Sequence, residues 1–139
     1  MSQALIRQAF EGSLATWAAA QTPPIPVAWE NVSFTPPAGR YARASLLPGG
    51  TASDDLEGLL RSYLGLFQVS LCMPIGSGSA EAEALVASLD AQFSTTAPMT
   101  SGALTVYITA PMSAAAALAE PDRHVIPVAC AYTAHTISL

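Results

Sequence analysis

Residues 59–93 read LLRSYLGLFQVSLCMPIGSGSAEAEALVASLDAQF. Over 59–73 the residues alternate. Tyr63, Phe67, Val69, Leu71 and Met73 fall on one side, and Leu64, Leu66, Gln68, Ser70 and Cys72 on the other. Period-two alternation rich in β-branched and aromatic residues predicts a long strand. The run MPIGSGS at 73–79 breaks it. From about 80 to 93 the apolar residues Ala82, Leu85, Val86, Leu89 and Phe93 recur at helical spacing. Ser79 is placed to cap that helix, and Glu81 and Glu83 sit near its positive end. Two clean apolar faces have to meet to be buried, so Phe67, Val69 and Leu71 are expected against Leu85, Leu89 and Phe93.

Upstream, residues 2–20 predict a first helix, with Ile6, Phe10, Leu14 and Trp17 in one stripe, ended by TPPIP at 22–26. A short strand is expected around 27–34, anchored by Trp29. RYARASLL at 40–47 alternates as a strand, and PGGTASDDLEG at 48–58 reads as a long, acidic hairpin tip. Downstream, 94–102 reads as a loop. LTVYITA at 104–110 is a strand with Leu104, Val106 and Ile108 inward, and 111–121 an irregular or briefly helical connector. The last strand, 122–137, runs through Ile126, Val128, Cys130 and Tyr132, with Pro127 arguing for an edge position or a bulge. The expected fold is α+β in a single domain over 1–139. Its order is α-β-β-β-α-β-β, with a mostly antiparallel mixed sheet and both helices on one face. The opposite face, smaller and more polar, is available to a neighbouring subunit.

Composition narrows the function. Apolar residues make 51% of the chain and charged residues 11%, and the net charge is −5. Few charges on an alanine-rich chain leave apolar surface that partners would cover. The basic residues are Arg7, Arg40, Arg43, Arg61 and Arg123, without lysine. No basic stripe exists for specific nucleic-acid binding, and no apolar run approaches the ~20 residues of a membrane span. Polar Gln3, Arg7, Gln8 and Glu11 argue against an export signal at the N-terminus. Cys72 and Cys130 read as reduced core residues, and with His124 and His135 they show no zinc or catalytic spacing. GSGS at 76–79 lacks the lysine of a phosphate loop and the third glycine of a dinucleotide fingerprint. No cofactor, metal or catalytic residue is expected. The arginines Arg40, Arg43 and Arg61 flank the acidic Asp54, Asp55 and Glu57. These six are the candidate contacts between subunits, an arginine of one facing a carboxylate of the next.

Read whole, the chain resembles the phage tail terminator-like proteins, of the minor tail protein U type. ALIRQAFEGSLATWAAA, WENVSFTPPAGRYARASLLPG, GLFQVSLCMPIGSG, LTVYITAPMS and DRHVIPVACAYTA carry the resemblance over nearly the whole length. It implies a non-enzymatic subunit of a hexameric ring. Such a ring caps the tail tube, ends tube polymerisation and offers a surface to head-completion proteins, with DNA passing through its lumen. The implied location is the virion tail, after assembly in the host cytoplasm. A neck or head–tail connector protein is the alternative, and a small hydrolase or nucleotide-binding enzyme the remote one.

Overall fold

The computed structural model describes residues 2–53, 60–76, 78–102 and 104–137. Helix α1 (Ser2–Ala19) is followed by strands β1 (Val27–Ala28), β2 (Tyr41–Ser53) and β3 (Leu60–Pro74) and by helix α2 (Ala80–Gln92). Strands β4 (Met99–Ser101), β5 (Leu104–Ala114), β6 (Leu118–Glu120) and β7 (Arg123–Ile137) complete the chain. The sheet has the order β1-β2-β3-β7-β5-β4, with β6 also on β7. Every pairing is antiparallel except the short β1–β2 pair. This is the expected order and class, with β4 and β6 as two further short strands.

Residues opposite one another in register share a face. Leu46, Phe67 and Cys130 lie in one row and Ala44, Val69 and Val128 in the next. This face is buried under both helices. Phe10 of α1 stacks on Phe67 with ring centroids 4.5 Å apart and meets the edge of Tyr132 at 5.2 Å. Phe93, at the end of α2, lies 5.6 Å from Phe67. The helices are tied together by Trp17 Nε1 donating to Ser88 Oγ at 2.8 Å, and by Gln92 Nε2 donating to Ser13 Oγ at 2.9 Å. Leu85 and Leu89 are buried in this core as their spacing predicts.

Several boundaries differ from expectation. The strand at 27–34 is only Val27–Ala28, because Asn31 takes a left-handed φ of 56° and turns the chain. Pro48, Gly49 and Gly50 do not end β2. The strand passes through them with a bulge between Pro48 and Gly50 and continues to Ser53. An outer strand tolerates this, since its outward N–H groups have no ladder to complete. The long loop expected at 48–58 therefore shortens, and its tip at 54–59 lies outside the described residues. Residues 111–121 are not helical: β5 runs to Ala114 and β6 follows. Ser79 occupies the N-cap without a side-chain hydrogen bond, and its carbonyl accepts from Glu83 N at 2.9 Å. Pro127 sits in a central strand. Its carbonyl accepts from Ala115 N at 2.8 Å, so its missing N–H faces the same side, where β5 leaves β7 and before β6 arrives. That break in the neighbouring ladder admits proline where an unbroken one would not.

Candidate assembly surface

The face of the sheet away from the helices has two halves. At the Pro74 end of β3 it is covered. Cys72, Val125 and Tyr41 are buried there with Phe34 packed on them. The cover is the segment after β1, and buried Arg123 holds it. The Arg123 guanidinium donates to the carbonyls of Pro37, Ala38 and Gly39, the last at 2.6 Å, and lies 5.2 Å from the Tyr41 ring centre. Three carbonyls and an aromatic face satisfy this cation without a carboxylate. Arg43 crosses the same half, Nη2 to Glu120 Oε2 at 3.0 Å.

At the hairpin end no described residue covers the face. Leu66 lies in register between Leu47 and Ala131, and the next row is Gly50, Leu64, Thr133 and Tyr107. Leu47, Leu64, Leu66 and Tyr107 are 43%, 52%, 44% and 44% exposed. None of the residues in these two rows is charged. Four large apolar side chains exposed in adjacent rows, on a chain of low charge, make this the most apolar described part of the sheet's outer face. Alternation had already put Leu64 and Leu66 on the polar side of β3. Two leucines among Gln68 and Ser70 were the sign that this side is not solvated along its whole length.

Of the six candidate contact residues, Arg40 and Arg43 have partners within the chain. Arg40 Nη1 meets Glu81 Oε1 at 2.6 Å and Arg40 Nη2 meets the Pro23 carbonyl at 3.0 Å. Arg40 and Arg43 therefore each have a carboxylate within the chain. Arg61 is at the hairpin end of β3, opposite Ser53 and Thr136. Its side chain, and Asp54, Asp55 and Glu57, lie outside what the structure describes. Arg7 and Glu30 form a further pair at 2.9 Å, and Glu30 also accepts from Leu46 N on the outer edge of β2. Burial pushes the Glu30 carboxyl up, but the Leu46 amide and the Arg7 guanidinium outweigh it and hold it below the usual range.

A second apolar surface lies on the helix side, at the opposite end. It is a groove of about 330 Å³ between α2 and the alanine-rich stretch joining β5 to β6. Ala82 and Val86 form one wall, Ala114 and Ala117 the other, and Ile126 the floor. Ser79, Glu83 and His124 supply its polar rim.

The residues weighed for chemistry give little. Cys130 is buried and its thiol is pushed up to about 12 by desolvation, which leaves it protonated and unreactive. Cys72 is also buried. His135 Nδ1 lies 3.1 Å from Ser62 Oγ, and its ring packs 6.0 Å from that of Tyr107. Among the described residues no cluster of three or more His, Cys, Asp or Glu side chains is placed to hold a metal. No described helix is long and apolar enough to cross a membrane.

Known proteins give a context for these surfaces. A search of curated proteins finds no match. One solved structure is 47% identical, with a TM-score of 0.81 over 96% of each chain. The family model described as phage tail terminator protein matches residues 5–132. With a match of that extent, the chain belongs to the phage tail terminator family.

Proposed function

We propose that this chain is the terminator subunit itself. Copies of it close into a hexameric ring on the head-proximal end of the tail tube, stop tube polymerisation and present a surface to head-completion proteins. The observation that carries this reading is family membership over nearly the whole chain. The bare half of the sheet supports the assembly part, because exposed leucines in register on a monomer call for a neighbour. Arg40, Arg43 and Arg61 meet Asp54, Asp55 and Glu57 across the subunit boundary in this proposal. For Arg40 and Arg43 that means exchanging Glu81 and Glu120 for a neighbour's acid, a step that lets assembly trade one ion pair for another at little net cost. Acids left unpaired face the lumen and repel DNA over a Debye length of ~8 Å, which keeps the passing genome from sticking. In the free state the subunit resides in the host cytoplasm, and afterwards in the virion tail.

The test is electron microscopy of purified tail tubes growing with and without the protein. The expected result is ring density at one end and a halt in elongation. Arg43→Glu should weaken capping, and Asp55→Arg in the same chain should restore part of it. Tubes that lengthen at the same rate with the protein present would dispose of the terminator role. Normal capping by the Arg43→Glu chain would remove that arginine from the contact.

A further inference from the structure

The bare patch and the groove are two apolar surfaces of one chain, and they cannot meet within it. The patch is on the side away from the helices, around Leu64 and Leu66. The groove is on the helix side, floored by Ile126, which lies opposite Leu71. Leu64 and Leu71 are separated by roughly 20 Å of strand at ~3.3 Å per residue. One surface projects side chains and the other is hollow. A cavity of ~150 Å³ lined by aliphatic side chains takes one benzene. The groove, at about 330 Å³, has room for two leucine side chains.

We infer that Leu64 and Leu66 of one copy insert into the groove between α2 and the β5–β6 stretch of the next copy. The inference rests on the ring proposal above and specifies the contact that builds it. The occupant is a second copy for three reasons. Both surfaces are apolar, with exposed leucines on one and an alanine-walled groove large enough to take them on the other. The two rows of the patch are uncharged, so the contact does not depend on phosphates or on a strongly charged partner. The surfaces also differ and lie at opposite ends. A contact between different surfaces is heterologous, and it propagates head to tail into a ring instead of stopping at a twofold dimer.

The experiment is disulfide trapping with the full chain under mild oxidation, since buried Cys72 and Cys130 do not compete. Leu66→Cys and Ala117→Cys proteins are oxidised separately and as a mixture, with tail tubes present, while wild-type protein is scored on the same tubes for capping. The expected result is a crosslinked dimer in the mixture at least ten times more abundant than in either variant alone. The chain carrying both substitutions should give a ladder that ends at a closed ring. Self-crosslinking of Leu66→Cys at the level of the mixture would make the patch a twofold contact and overturn the inference. Capped tubes without mixed crosslinks would sink the contact and leave the terminator role standing. Mixed crosslinks on tubes that keep growing would uphold the contact and refute that role. A tube protein crosslinked to Leu66→Cys, with no mixed dimer, would assign the patch to the tube and overturn the inference.

Discussion

Gly65 lies on the helix-covered face of β3, opposite Tyr132 of β7. An added Cβ there would meet the Leu47 carbonyl at 2.6 Å, the Tyr132 hydroxyl at 2.7 Å and Tyr132 Cε2 at 2.9 Å. None of these gives way cheaply. The carbonyl belongs to the β2–β3 ladder, and the ring is 1% exposed and held edge-on by Phe10 at 5.2 Å. Overpacking a well-filled core costs ~1–3 kcal/mol, and two rigid obstacles put Gly65→Ala at the upper end, ~3 kcal/mol. For a chain of this length that is a fall in Tm of ~10 °C. The same substitution at Gly12, mid-helix with nothing within 4 Å of the added atom, should raise stability by ~0.5–1 kcal/mol. Chemical denaturation of both variants gives the comparison. The Tyr132 hydroxyl is buried and has no hydrogen-bond partner among the described residues. Tyr132→Phe should therefore cost little by itself and recover part of the Gly65→Ala loss in the double variant. A Gly65→Ala protein within ~0.5 kcal/mol of wild type would refute the reasoning, because the sheet would have opened without penalty.

Two further outcomes are expected. Leu89→Ala empties a site that is 0% exposed between α2 and the sheet and should cost ~2–5 kcal/mol by denaturant unfolding; a loss under ~1 kcal/mol would mean that the site collapses freely. Glu30 is depressed in the folded state, so its contribution is present above the unfolded carboxyl value of ~4.3 and is lost as pH falls through the lower folded value. Half-exposed as it is, the Arg7–Glu30 pair contributes under ~1 kcal/mol. Glu30→Gln should be slightly less stable at neutral pH and converge on wild type only once the pH has fallen below the lowered folded value, and a gap that widens in acid would reverse the assignment.

The elements with regular alternation or helical spacing were legible from sequence. Phe67, Val69, Leu71, Leu85 and Leu89 are buried where their periods put them. The misreadings share a cause, in that proline and glycine carry positional meaning only once neighbours are known. Pro48, Gly49 and Gly50 signal a turn locally, yet on an outer strand they form a bulge. Pro127 implied an edge or a bulge, and it sits on a central strand beside an irregular stretch of ladder, at a gap between two successive partners of β7. The alanine-rich 111–121 lacks side-chain pattern, and its strands are set by pairing with β7. The charged residues were legible as a set and not as pairs. Glu81 and Glu120 are distant in sequence from Arg40 and Arg43, and only the fold brings them within reach. Nothing local in the sequence marks the role of Arg123, because its carbonyl partners come from a loop 84–86 residues away.

The Glu30 carboxylate on the Leu46 amide bears on solubility. An outer strand with free N–H groups invites another chain to add to it, and the same sequence in many copies is the best available template. Here the carboxylate occupies one donor, and the Pro48 to Gly50 bulge breaks the line just beyond it. Strand-by-strand growth, which would run on without limit into fibrils, is obstructed at that edge. In the ring proposed above, copies of the chain would then meet through side-chain contacts of fixed geometry, which can close on themselves and stop.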